Sequence, residues 1–361
     1  MERFTGDEDR GADAIATEHA EPATTDSAAE PSQQAAPAAE RSRARWRPPS
    51  FADLADQYGI LVAWAIIIAL FTVIEPDTFF TFANLKTILG TQAVLLILAL
   101  ALLLPLTVGE FDLSVTGALS MSLVLTGYLN ILRGWPILPT IAVALASGVL
   151  IGLVNVFFVM VVRVESIVVT LGSGTMWLGI GYGIHGANIS GVSDLLINVT
   201  RNDLLGVPFA FWYGLLLTVV FWYVYSFTPL GRYLYFVGAN RQVSRLSGIP
   251  VTAIRTGTLM ASAIISSVAG VILTGVIGGA GPSIAAGYLL PAFAAVFLGA
   301  AAIVPGRFNP WGTFTAVYFL ITGITGLELL GFTGWVENVF YGASLVLAVA
   351  LSRLAARRRL A

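Results

Sequence analysis

Cysteine is absent from the chain, which excludes disulfides, thiolate metal sites and cysteine nucleophiles. Histidine occurs twice, at His19 and His185, too rarely for a histidine-based metal cluster. Lysine occurs once, at Lys86 in Asn84-Leu85-Lys86-Thr87, so no Gly-x-x-x-x-Gly-Lys loop exists and the chain supplies no phosphate-binding P-loop of its own. Charge is scarce: 11% of the 361 residues are charged, against about a quarter in a soluble globular domain. With 57% hydrophobic residues and a mean hydropathy of +0.83, the chain cannot cover a water-facing surface, and lipid must be its solvent. No Ser-His-Asp or paired-carboxylate pattern points to catalysis. Neither a catalytic residue nor a metal, cofactor or nucleic-acid partner is expected.

What the chain has in abundance is glycine, 37 residues, which suits a bundle whose helices approach through small residues. Residues 1–50 stand apart. They are rich in Ala, Glu, Asp, Pro, Ser and Thr, too poor in large apolar side chains to offset ordering entropy, and are read as a disordered cytoplasmic tail. The tail ends in a basic cluster, Arg41, Arg43, Arg45 and Arg47. Phe51, Leu54, Ala55 and Tyr58 then recur at helical spacing and predict a short interfacial helix. Residues 51–355 form the membrane domain, and 356–361 a basic C-terminal tail.

A span needs about 20 mostly apolar residues. Ten are predicted: 58–74, 86–108, 112–132, 137–162, 166–185, 209–227, 256–279, 287–304, 310–328 and 334–352. The fold class is all-α integral membrane. Two longer connections, 186–208 and 228–255, interrupt the pattern. With the N-terminus inside, fourteen arginines near the membrane fall on the cytoplasmic side: Arg41, Arg43, Arg45, Arg47, Arg163, Arg232, Arg241, Arg245, Arg255, Arg307, Arg353, Arg357, Arg358 and Arg359. Only Lys86, Arg133 and Arg201 fall outside. An even number of spans returns the C-terminus inside, so both termini are cytoplasmic.

The cytoplasmic connection 228–255 carries the densest pattern. Asn240 suits a helix N-cap and Gly248 a C-terminal stop, with Pro250 beyond it. Between them Val243 and Leu246 share one face at i, i+3, and Arg241 and Arg245 another at i, i+4. Two readings fit, a short basic docking helix and a charged loop lying on lipid headgroups. Gly109-Glu110-Phe111-Asp112-Leu113-Ser114 places two acids at a break between spans. Such acids face a cavity or a partner, or cap the following helix. Polar residues expected to be buried inside spans are sparse: Gln92, Asn155, Thr170, Ser173, Thr175, His185, Ser262, Ser266, Ser267 and Thr274. Asn155 is the preferred pathway residue, because an amide on a long apolar span needs a partner. Glu110, Asp112, Ser114, Asn155, Thr170 and Thr175 make up the pathway or gating set.

Gly231-Arg232-Tyr233, Gly238, Asn240 and Arg245-Leu246-Ser247-Gly248-Ile249 resemble the coupling-helix loop in permease subunits of ribose-type monosaccharide ABC importers. Gly109–Val115 resembles that family's Gly-Gly-Ile-Asp-Leu-Ser-Val stretch. Ser166–Gly172 resembles its Phe-Ile-Val-Thr-Leu-Gly stretch, and Trp311-Gly312-Thr313 with Gly326–Gly331 its last two spans. The resemblance runs in order over 58–355. It departs at Glu110, where a second Gly is usual, at Phe111, where Ile is usual, and at 300–307, which lacks the usual Gly-Gly start. It implies ATPase coupling through Gly238, Asn240, Arg241, Val243, Arg245, Leu246 and Gly248. It also implies two cytoplasmic ATPase subunits carrying ATP and Mg, an extracytoplasmic solute-binding protein, and a second permease, identical or sister. The alternatives are an ion-coupled transporter, a scaffold without transport, and an importer permease for branched-chain amino acids, nucleosides or a signalling furanose.

Overall fold

The computed structural model describes residues 51–332 and 334–358. The expected tail 1–50, with its basic cluster, and residues 359–361 lie outside the described residues. Helix α1 (Phe51–Ile74) is continuous, so the separate interfacial helix expected at its start is instead the first turns of the first span. Helices α2 (Phe82–Thr91) and α3 (Ala93–Thr107) make the second span, interrupted at Gln92. Helix α4 (Val115–Gly127) runs on through a π-helical turn, Tyr128–Leu132. Helix α5 (Ile137–Val156) ends in another such turn, Phe157–Val161, and α6 is Ser166–Ile184.

The connection 186–208 is built rather than loose. It holds β1 (Ile189–Ser190), α7 (Asp194–Arg201), β2 (Asp203–Leu204) and β3 (Val207–Pro208). After α8 (Phe209–Phe227) come α9 (Pro229–Ala239), α10 (Arg241–Leu246) and α11 (Val251–Ile277). Then follow β4 (Gly279–Ala280), a 3-10 segment Pro282–Tyr288, α12 (Leu289–Gly299), α13 (Pro310–Leu329) and α14 (Trp335–Arg358). The strands are two residues each, β1 pairing antiparallel with β4 and β2 with β3, and the fold is all-α.

Among the described residues, nine apolar segments of 18 to 27 residues are long enough to cross a bilayer, and Trp335–Ala350 is the apolar part of a tenth helix. The chain is a multi-pass membrane protein. Long-range contacts obey the alternation of spans: connections expected on the same side meet. Ile303 N donates to Gln57 O at 3.0 Å between two connections expected inside. Lys86 pairs with Asp203, and β1 with β4, among connections expected outside.

Three spans shift by four residues or more, the second starting at Phe82 rather than 86. The seventh span starts at Val251, before the expected 256, and the eighth is Pro282–Gly299 rather than 287–304. Ala300–Ile303 is apolar but forms turns, because the Asn309 amide captures the helix end. Its Nδ2 lies 3.1 Å from Gly299 O and 3.0 Å from Ala302 O, while its Oδ1 accepts from Gly312 N and caps α13. Likewise α14 continues to Arg358 through the start of the expected C-terminal tail.

Helix α3 is the central post. Every residue from Ala93 to Thr107 is buried, among α4, α8, α11, α12 and α13. A helix apolar on all sides belongs where no side meets a polar environment. Helix α1, by contrast, presents Val62, Ile66, Leu70 and Val73 outward at the rim. Small residues bring α11 close to its neighbours, Gly270 lying against Leu119 and Ser122, and Gly148 against Ser267. The post therefore ends, at Thr107, in a fixed place at the end of the bundle that carries α9 and α10.

Candidate functional site

Helix α10 is short and is held by its ends. Asn240 Oδ1 accepts from Gln242 N and Val243 N, each at 3.0 Å, satisfying donors that a helix start leaves unpaired. Gly248, at φ +79°, closes the other end, its N donating to Arg245 O at 3.1 Å. Ser244 faces inward and is buried, whereas Val243 is 57% and Leu246 84% exposed.

The preceding segment, expected as loop, is helix α9. Thr228 Oγ1 accepts from Gly231 N at 3.4 Å and Pro229 takes the first helical position, a start signal legible in Thr-Pro. Helix α9 docks directly on the end of the central post, since a Cβ at Gly238 would stand 2.0 Å from Thr107 O. Tyr235 fastens it sideways, its OH donating to Phe308 O at 2.7 Å. Burial pushes the Tyr235 phenol up, against the opposing influence of the Arg307 guanidinium, which lies 5.4 Å from the ring centroid.

From Thr107 the chain turns through 108–114 into α4, and this turn is tied on both sides. Toward α10, Arg241 Nη2 donates to Gly109 O at 2.7 Å and to Val108 O at 3.2 Å, and lies 2.6 Å from Glu110 Oε1. Arg255 Nε, in the first turns of α11, meets the same Glu110 oxygen at 2.5 Å. Toward α6, Phe111 N donates to Ser166 Oγ at 3.2 Å and Leu113 N to Thr170 Oγ1 at 3.0 Å, while Thr170 Oγ1 lies 3.0 Å from Phe111 O. Asp112 Oδ1 accepts from Ser114 N at 3.0 Å and from Ser114 Oγ at 2.6 Å. Asn155 Nδ2 on α5 donates to Ser114 Oγ at 2.7 Å, and Asn155 Oδ1 accepts from Ser173 Oγ at 2.6 Å.

Two cavities flank the turn. One, of about 760 Å³, is lined by Glu110, Arg163, Arg241, Arg245 and Arg255 among others. The other, of about 720 Å³, has Phe111, Tyr235, Gly238, Phe297 and Phe308 in its wall. Phe111 stacks on Phe293 with ring centroids 6.4 Å apart.

Most of the residues singled out in the sequence thus fall into one connected assembly: Glu110, Asp112, Ser114, Asn155 and Thr170 with Gly238, Asn240 and Arg241. Val243, Arg245, Leu246 and Gly248 lie on and just past α10, at its edge. Thr175 stands apart, exposed on α6 and bonded to its own helix at Leu171 O, 2.9 Å away. Asp112 is not the side-chain cap of α4. That helix starts at Val115 after Ser114, which makes no capping bond, and Asp112 closes the turn before it. Ser166 and Arg255 belong to the assembly and were not in the expected set. Ser166 sits at i−4 from Thr170, a same-face spacing that marks it, whereas Arg255 carries no local signal beyond its charge.

Residues 84–349 match the family model described as branched-chain amino acid transport system / permease component. The chain is 31% identical over 303 residues to the ribose import permease protein RbsC of Escherichia coli K12, covering 80% of this chain and 91% of that one. To the Haemophilus influenzae protein of the same name it is 29% identical over 300 residues, covering 80% and 90%. To the D-allose transport system permease protein AlsC of Escherichia coli K12 it is 26% identical over 309 residues, covering 85% and 95%. These relatives are transport permeases, not enzymes. With a family match over most of its length and, among the described residues, nine membrane-length helices and a tenth shorter apolar one, the chain belongs to the permease family of ABC importers and is of the ribose type.

Proposed function

We propose that this chain imports a monosaccharide by alternating access, paired with a second permease and driven by ATP hydrolysis on cytoplasmic ATPase subunits docked on α10. A solute-binding protein delivers the sugar to the outer face. ATP and Mg are held by the ATPase partner and no cofactor by this chain. The observation that carries the reading is α10 itself: a six-residue helix with both ends fixed, set on the turn at the end of the central post, holding Val243 and Leu246 exposed. An isolated helix this short does not persist in water, so its retention as a rigid projecting feature suits a lever. The names of the relatives, ribose and allose permeases, favour a sugar.

An ion-coupled transporter needs ionisable groups at mid-span. Within the described spans the charged residues, Lys86, Arg255, Glu328 and Glu337, stand near span ends, which favours ATP as the energy source. The test is uptake of labelled ribose into proteoliposomes containing the permease, its ATPase and its binding protein. Uptake that requires ATP, ignores protonophores and is competed by sugars supports the reading. Uptake that collapses with protonophores and proceeds without ATP overturns the energy source. Competition by leucine and not by ribose overturns the substrate class.

A further inference from the structure

The docking reading leaves open how movement of α10 reaches the spans, and Glu110 answers it. This carboxylate is 3% exposed, and its one oxygen Oε1 holds two guanidinium groups, Arg241 of α10 at 2.6 Å and Arg255 of α11 at 2.5 Å. Arg241 is 41% exposed and Arg255 20%. The asymmetry matters. If the contact opened, the arginines could find water, but the buried carboxylate would be left without compensation, and an unpaired buried charge is far costlier than a paired one. Arg241 also grips the backbone of the same turn at Val108 O and Gly109 O. A cation gains nothing at the N-terminus of α10 itself; its acceptors all lie on the turn.

We propose that Glu110 is a positioning residue for energy coupling, a clamp through which displacement of α10 moves turn 108–114 and α11 together. From the turn the movement passes to α6 through Ser166 and Thr170 and to α5 through Ser114 and Asn155. Without the clamp, α10 stays on the surface and docks its ATPase, but its motion is absorbed at 109–110.

The proposal rests on α10 being the docking helix, so the experiment separates the two. The full importer is reconstituted, and ATP hydrolysed per sugar transported is measured for E110Q, R241Q and the double variant, with co-purification of the ATPase scored in parallel. The ATPase is expected to co-purify with all three. ATP per sugar is expected to rise about tenfold or more in each single variant, and the double variant to be no worse than the worse single. A merely structural residue would lower assembled yield without moving this ratio. A wild-type ratio in E110Q, or losses that multiply in the double variant, overturns the clamp. If E110Q does not assemble, R241Q carries the test, its side chain being partly exposed, and a wild-type ratio there is equally contradictory. L246D is the control for the underlying reading: retention of the ATPase by L246D defeats docking on α10, whatever Glu110 does.

Discussion

Asn155, three-quarters of the way along a predominantly apolar span, donates to Ser114 at 2.7 Å. The same amide accepts from Ser173 at 2.6 Å, so both of its functions are used within the bundle, and α5, α6 and the start of α4 are fixed at one depth. An amide in hydrocarbon without partners is costly; here it is the joint.

Asn155→Leu keeps the apolar character of α5 and removes the joint. Side-chain hydrogen bonds between membrane helices are worth about 0.6 kcal/mol on average and about 1.7 at most. With two bonds lost, a destabilisation of about 1 to 2 kcal/mol is expected, measured as denaturant-induced unfolding in detergent, together with a loss of uptake. Unchanged stability would show that Asn155 does not hold the helices.

Thr170→Val retains shape but leaves Leu113 N without its acceptor and removes the one hydroxyl proton shared between Ser166 O, at 2.8 Å, and Phe111 O, at 3.0 Å. Orphaning a fully buried donor costs about 1–3 kcal/mol, and for this part-buried one the lower end of that range is expected. Thr170→Ser restores the hydroxyl and is expected to recover most of both stability and uptake. Equal behaviour of the two variants would place the effect in packing rather than in the strap.

Gly238 leaves no room for a side chain, with Thr107 O where its Cβ would stand. Backbone on both sides cannot swing away as a long side chain does. Gly238→Ala is expected to cost about 1–3 kcal/mol through overpacking and to loosen α9, seen as faster proteolysis at 229–248. A variant as resistant as the parent chain would mean that α9 is not seated on the post.

Asp112 closes its turn through one oxygen, Oδ1, which an asparagine supplies equally well. Asp112→Asn is therefore expected to fold and transport, while Asp112→Ala unfolds the turn and lowers the yield of assembled protein. A stable Asp112→Asn protein devoid of uptake would assign the charge to the pathway instead.

How much of this is visible in the sequence depends on the range over which each interaction acts. Asn240 and Gly248 announce α10 because capping is local. The arginine asymmetry fixes orientation because it is summed over whole loops. The central position of α3 is not legible, since leucines that face lipid and leucines that face protein look alike in one chain. Glu110 reads only as an acid at a break, because its partners lie more than 130 residues away. Helix α9 lies inside 228–255, which interrupts the apolar pattern and so reads only as a connection, and the close docking on Tyr225 and Thr107 that explains Gly231 and Gly238 is long-range or tertiary. Ala300–Ile303 misled in the opposite direction, an apolar run ended by an asparagine several residues on.

The central claim, that α10 is the site of ATPase docking, is tested most directly by cross-linking. The chain has no cysteine, so L246C introduces one reactive thiol at the most exposed apolar side chain of α10. L205C places one in the outer connection as a control. In membranes containing the assembled importer, a short thiol-to-amine cross-linker is expected to join the chain to an ATPase subunit in L246C and not in L205C, with the product changing as ATP is bound. Efficient labelling of L246C without any cross-link to the ATPase would contradict the account.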